Sequence, residues 1–261
     1  METHLQPDHD IIALDHEETW PVEIVRILDH NHGILDTYEI VRLQRASGYD
    51  TRLTELREQR NEIISDLNGI LEAHNVLGFQ CTRLHPEEIN HIWANGLEPL
   101  SAPSQLRRLQ DRVAAGDINE NMMNSLLENN RIHGNEGRDG HVHLSFTDEY
   151  PRLCGYQFFR YWGGEVIYHP DHNEVLHSIG LPCIVEAVVP ISARRIWSPG
   201  ADFVKIYLER RGREQVDGSG MGDVLDVPVR VRDVVQWGSD RFLTLTKDAD
   251  WDNGWLPPIH L

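Results

Sequence analysis

Lysine is nearly missing from this chain of 261 residues: Lys205 and Lys247 are the only two, and arginine carries the rest of the positive charge. Acidic residues outnumber basic ones 42 to 24, for a formal charge of −18 at pH 7. Affinity for duplex nucleic acid rests on neutralising phosphates, so a chain this acidic is poorly suited to wrapping a duplex. Locally basic stretches remain, because Arg107, Arg108 and Arg112, and likewise Arg210, Arg211 and Arg213, are clustered in sequence. Long apolar runs are absent too; without about 18 such residues in a row, no transmembrane helix and no membrane partner are expected. Cysteine is scarce: Cys81, Cys154 and Cys183 are widely spaced and form no C-x-x-C. They read as reduced thiols, not as a disulfide frame or a zinc site. The N-terminal METHLQPDHD has neither a basic nor an apolar signal region, so the expected location is cytoplasmic.

What is present points to an α+β chain without repeats. Residues 1–18 are acidic and aperiodic and read as a flexible tail. Val22, Val25, Ile27 and Leu28 suggest a helix over 22–35 that closes near His32-Gly33. Leu53, Leu56, Ile63, Ile64, Leu67, Ile70 and Leu71 recur at three- and four-residue spacings, which predicts a longer helix closed by Gly78. A short strand over 79–84 then leads into PEEINHIWANGL, with Pro86 in the first turn, Ile89, Ile92 and Trp93 as its apolar stripe, and Gly96 ending it. Two more short helices, broken at Gly116-Asp117, fill 101–130. Beyond NEGRDG (135–140) the chain reads as strands: HVHLSF (141–146), EVIYH (165–169), PCIVEAVVPI (182–191), DFVKIYLE (202–209), VLDVPV (224–229), DVVQW (233–237) and FLTLT (242–246). Helical turns are expected near 150–161 and 173–179. The expected division is a tail (1–18), a helical N-terminal segment (19–77) and an α+β domain (78–261).

Four stretches carry candidate chemistry. The first is Gln80-Cys81-Thr82-Arg83, polar residues at a strand end just before a helix, where Thr82 and Arg83 suit an anionic group such as a pyrophosphate. The plainer reading has Thr82 cap the helix and Arg83 pair with Glu87 or Glu88. In HVHLSF, His141 and His143 share a strand face with Ser145 two residues on, a partial match to a two-histidine phosphoesterase that lacks a second H-x-S element. No third metal ligand declares itself beside them, so no metal is expected. The third stretch, CGYQFFRYWGGEVIYH (154–169), offers planar faces in Tyr156, Phe158, Phe159, Tyr161, Trp162 and Tyr168, with Arg160 and Glu165 as charges. It suits stacking on a nicotinamide or a base, or else forms a core hairpin with a Gly-Gly turn. Last, QVDGSGMGDVLDVP is a Gly-rich loop delivering Asp223 onto a strand.

In this order the elements resemble the ADP-ribosyltransferase fold of bacterial toxins, poly-ADP-ribose polymerases and tRNA 2′-phosphotransferases. Gln80-Cys81-Thr82 with INHIWANGL is similar to the family's first strand and helix, VHLSF to its Ser-bearing second strand, and GSGMGDVLDVPV to its loop and acid-bearing strand. The resemblance covers roughly residues 78–246 and implies a pair of packed antiparallel or mixed sheets with flanking helices. It implies NAD as substrate, held by Gln80, Thr82, Arg83, Ser145 and a stacking Tyr156 or Tyr161 (Tyr150 is a third candidate), with Asp223 or Glu165 as the acid. Two departures stand out: Gln80 replaces the family's His or Arg, and Asp223 replaces its Glu. The implied activity is transfer of ADP-ribose to a macromolecule, protein or nucleic acid, by a toxin- or defence-type effector of bacterial or phage origin. The N-terminal helices are then candidates for binding a protein partner or antitoxin. The alternatives are a non-catalytic binding or inhibitor module on the same scaffold, and a His-dependent RNA or nucleotide phosphoesterase.

Overall fold

The computed structural model describes residues 11–44, 51–129, 139–148, 151, 161–163, 167, 169–193, 198–213 and 222–236. In chain order the named elements are β1 (Ile11–Ile12), α1 (Val22–Gln44), α2 (Thr51–Leu71), β2 (Asn75–Leu84), α3 (Pro86–Asn95), α4 (Ala102–Ala115), α5 (Glu120–Glu128), β3 (Val142–Ser145), α6 (Asn173–Ser178), β4 (Leu181–Pro190), α7 (Pro199–Arg210), β5 (Gly222–Leu225) and β6 (Arg230–Gln236). The strands form one mixed sheet in the order β5-β3-β2-β4-β6, with β1 running parallel to the start of β2. The architecture is α+β with a helical N-terminal segment. A pair of packed sheets was expected; among the described residues there is one. Residues divide into two compact units, Met1–Leu77 with Val189–Asp223 and Gly78–Val188 with Val224–Leu261.

In the first unit α1 and α2 pack on each other and on α7. The stripe Ile24, Leu28, Leu35 and Tyr38 is buried along α1. It carries the helix through Gly33, where the sequence predicted a stop, because burial of the next two turns outweighs the roughly 1 kcal/mol that a helical glycine costs. Helix α2 buries Leu53, Ile63, Ile64, Leu67 and Leu71 and ends there, well before Gly78, since Asn75 already begins β2. Residues 11–18, expected within a loose tail, include β1, the buried Leu14 and the start of a 3₁₀ turn at Glu17–Thr19, and Trp20, just inside the expected helical segment, is buried too.

The largest departure is DFVKIYLE, which lies inside helix α7 and not in a strand. Every residue from Pro199 to Leu208 except Lys205 is buried. A helix covered on nearly all sides shows no 3.6-residue period, so its β-branched and aromatic content reads locally as strand. The arginines that follow form no open cationic patch. Arg210 reaches Glu17 at 3.4 Å and the Asp15 carbonyl, Arg211 reaches Asp29 at 3.2 Å, and Arg213 reaches Asp36 at 2.5 Å. Arg211 also lies over the Tyr207 ring, and the Tyr207 hydroxyl donates to Asp29 at 2.8 Å. Burial, with that hydrogen bond to Asp29, pushes the Tyr207 phenol up to about 12.

In the second unit, Cys183 to Val188 of β4 are all buried, as a central strand covered on both faces requires. Strand β4 pairs antiparallel with β6 from Cys183↔Gln236 to Val188↔Arg230, with a bulge at Glu186/Ala187. The helices at 102–115 and 120–128 break at Gly116-Asp117 as the sequence predicts. With α6 and the segment at Tyr161-Trp162 they enclose an apolar cluster of Leu109, Ile118, Met122, Leu126, Trp162 and Leu176. FLTLT and most of EVIYH lie outside the described residues.

The Asn95-Gly96-Leu97 ending of α3 has a specific cause. Gly96 adopts φ 83°, and Leu97 exchanges two backbone hydrogen bonds with Val229, at 2.8 and 3.1 Å. A Cβ on Gly96 would sit 2.6 Å from the Val229 carbonyl oxygen. Gly96→Ala is therefore expected to cost roughly 3 kcal/mol from left-handed strain and overpacking together, about 10 °C in Tm. A calorimetric Tm equal to that of the parent would mean that the approach is not tight.

Candidate functional site

Strand β2 lies between β3 and β4, so hydrogen bonding on both sides fixes the path of its last residues. Gln80, Cys81 and Thr82 are half-buried and Arg83 is buried. Phe79 is directly opposite Ser145 of β3, and directly opposed residues share a face of the sheet. Alternation along β2 then sets Gln80 and Thr82 on one face, and Phe79 and Cys81 with Ser145 on the other. Of the expected NAD contacts, Gln80 and Thr82 are thus brought together, and Ser145 is on the neighbouring strand but turned the other way. The Ser145 hydroxyl lies 3.5 Å from the Phe79 carbonyl and 3.4 Å from that of Thr147.

After Leu84 the chain turns into α3 through His85, which is extended at φ −75°, ψ 151°. His85 Nδ1 accepts from the Glu87 amide, and Glu88 accepts from the His85 amide at 2.8 Å, a reciprocal capping box. The cap is therefore His85 and not Thr82. Nor are the two glutamates partners of Arg83 in the hydrogen bonds of this turn. Arg108 Nε donates to Glu88 Oε1 at 2.6 Å, and Arg112 Nη2 donates to Glu87 Oε2 at 2.8 Å. Arg112, only 1% exposed, also donates to Asp117 at 2.9 Å. The Arg107–Arg112 cluster is thus largely committed to acids of its own unit, with Arg107 3.6 Å from Glu98.

Arg83 Nε donates to the Ile179 carbonyl at 2.8 Å, just beyond α6. Burial lowers the affinity of its guanidinium for its proton. Cys183 is close enough to interact with Arg83, yet burial dominates and raises the Cys183 thiol to about 11. The loop after Ile179 presses on the same strand end. Gly180 adopts φ 67°, and a Cβ there would meet the Leu84 carbonyl at 2.5 Å and the His85 nitrogen at 2.9 Å.

Trp162 completes the arrangement. Its amide donates to the Leu176 carbonyl of α6 at 3.0 Å, and its indole Nε1 donates to Glu88 Oε2 at 2.7 Å. The Arg108 guanidinium covers its ring at 4.9 Å. Hydrogen bonds therefore run in a closed circuit: from Arg83 to the end of α6, from α6 to Trp162, from Trp162 to Glu88, and from Glu88 back to His85 two residues after Arg83. Trp162 is fully buried, so it is a structural tie and not an open stacking face. Neighbouring Tyr161 is 9% exposed, its ring 6.5 Å from that of His177.

Asp223 lies in β5, next to β3 in the sheet order. Glu165, Tyr156 and Tyr150 lie outside the described residues. The rings of His141 and His143 are 6.3 Å apart at 75°, and among the described residues no group of three His, Cys, Asp or Glu side chains could hold a metal. Three residues went unrecognised as important in the sequence. Glu88 was legible as the acid three residues after His85 in a capping box, but histidine is a rare cap. Trp162 was one aromatic among several. Glu186, fully buried and opposite Asp233, is the lone acid inside an apolar strand. Comparison of the chain with family models, curated proteins and solved structures finds no significant match.

Burial disfavours the charge of Glu88, but Arg108, the His85 amide and the Trp162 indole outweigh it and hold the carboxyl below its ordinary 4.5. A lowered native value gives stability that is complete above 4.5 and is lost as pH falls through the native pKa. Glu88→Ala is expected to cost about 3 kcal/mol at pH 7, because it leaves Arg108 half-buried beside an unpaired indole. Urea unfolding between pH 7 and 3 should show a shallower acid-side loss for Glu88→Gln than for the parent. Parallel pH profiles for the two proteins would contradict the assignment.

Proposed function

We propose that this chain is an NAD-dependent ADP-ribosyltransferase that modifies a macromolecule, of the toxin or defence type. The observation that carries this reading is that β2, with Gln80 and Thr82 half-buried on one face, lies directly beside β3, and that β5 lies on the far side of β3. A site assembled from three short strand-borne motifs needs those strands to be consecutive neighbours. In this reading Gln80 and Thr82 are the donors to the nicotinamide end of a bent NAD, with Tyr161 or Tyr156 stacking on it. Asp223, with Glu165 as the other candidate acid, hydrogen-bonds the ribose. Its charge stabilises the oxocarbenium-like cation as nicotinamide leaves, and a nucleophile of the acceptor then attacks the anomeric carbon. Ser145 supports the junction of β2 and β3 from the opposite face.

One observation favours the second reading, a non-catalytic binding module. Arg83, the residue proposed to grip the pyrophosphate, is buried and already donates to the Ile179 carbonyl. No described helix is long and apolar enough to cross a membrane.

The test is incubation of pure protein with labelled NAD and lysate, scored for nicotinamide release and for transferred label. Turnover is expected, reduced roughly 100-fold by Asp223→Asn. Thr82→Ala is expected to raise KM for NAD several-fold by removing one donor. Absence of both release and any NAD-induced thermal shift would sink the enzyme, while full activity in Asp223→Asn would move the acid elsewhere, with Glu165→Gln as the next variant.

A further inference from the structure

We propose that Glu88 and Trp162 are positioning residues: together they lock the strand end Gln80–Arg83 to the segment carrying Tyr161, so that the two halves of a ligand site on this unit move as one body. The tie rests on connectivity and not on a single strong bond. Glu88 Oε2 accepts from both the His85 amide and the Trp162 indole, at 2.8 and 2.7 Å, so one oxygen joins the end of β2 to the aromatic segment. The second path between the same two segments runs through α6, from Arg83 to the Ile179 carbonyl and from the Leu176 carbonyl to the Trp162 amide. Two independent paths leave no hinge between the segments.

Packing closes the remaining freedom. Gly180 sits against the Leu84 carbonyl with no space for a Cβ, and Trp162 is fully buried in the apolar cluster with Leu176 and Leu109. Arg108 grips Glu88 Oε1 at 2.6 Å and covers the indole, so the carboxylate cannot rotate away from Trp162 without losing an ion pair. Removing the indole N–H alone should therefore loosen residues 80–83, although Trp162 lies far from them in sequence. A carboxylate whose only task was to cap α3 would transmit nothing from Trp162.

Cys81, half-buried on β2 and in no disulfide, reports on this coupling directly. Cys183 is buried with its thiol near 11, and so reacts slowly at neutral pH. In a Cys154→Ser background, labelling by a chromogenic disulfide reagent is followed for Glu88→Gln, Trp162→Phe and Val231→Ala, the last a buried β6 residue outside the circuit that sets the rate for general loosening. Both Glu88→Gln and Trp162→Phe are expected to label Cys81 about tenfold faster than Val231→Ala at equal loss of Tm. Labelling no faster than in Val231→Ala overturns the proposal. So does acceleration in Glu88→Gln alone, which would reduce Glu88 to a helix cap. The functional consequence rests on the NAD reading: Trp162→Phe should raise KM for NAD with kcat little changed. Failure of the parent to turn over NAD would remove that reading, while the labelling result would still decide the coupling.

Discussion

One carboxylate organises the second unit. Glu88 accepts from a backbone amide, an indole and a guanidinium, and each donor belongs to a different stretch of chain. A carboxylate with most of its surface removed from water is tolerated only when nearly all of its lone pairs are used. The requirement runs both ways, since the indole of a fully buried Trp162 would otherwise be an unsatisfied donor. The apolar cluster around Trp162 contributes burial energy, but it is indifferent to small rotations of its members. Hydrogen bonds to one fixed acceptor are directional, so they set the orientation that packing alone leaves loose.

The same logic limits what the arginines offer a ligand. Clustered in sequence, they left room for a locally basic cleft. Arg108 and Arg112 are drawn to Glu87, Glu88 and Asp117, and in the other unit Arg210, Arg211 and Arg213 are drawn to Glu17, Asp29 and Asp36. In a chain with 42 acids and 24 bases, these clustered arginines meet carboxylates of their own fold. Sequence clustering measures local charge density and says little about which charges tertiary structure has already paired.

Helices with an exposed face were legible because solvent on one side leaves a period to read: α2 through Leu53, Ile63 and Leu67, α4 and α5 through their glycine break. Central strands were legible as apolar runs, as in CIVEAVV of β4, which Glu186 alone interrupts. What misled was burial on all sides. Helix α7 gave its strand-like composition and no period, and α1 continued through a glycine because of residues packed beyond it. At the site, QCTR was marked by polarity at a strand end, yet Arg83's carbonyl partner could not be read from it. That partner comes from Ile179, and no local pattern encodes a hydrogen bond closed by the fold. His85 is the converse case, a local signal that was present but carried by an unusual capping residue.

The bridge between Leu97 and Val229 bears on when this molecule comes into being. Helix α3 is held at its start by Glu88 and Trp162, and at its end by a backbone pairing with a residue near the far end of the described chain. Contacts this distant in sequence close late, because the chain must first lose the entropy of a very long loop. On a ribosome, the C-terminal end of α3 therefore stays unpaired until the segment around Val229 has emerged. The start of α3 and the strand end at Gln80–Arg83 are tied earlier, once Trp162 and Ile179 have been made, so the two ends of this helix are fixed at different stages of synthesis.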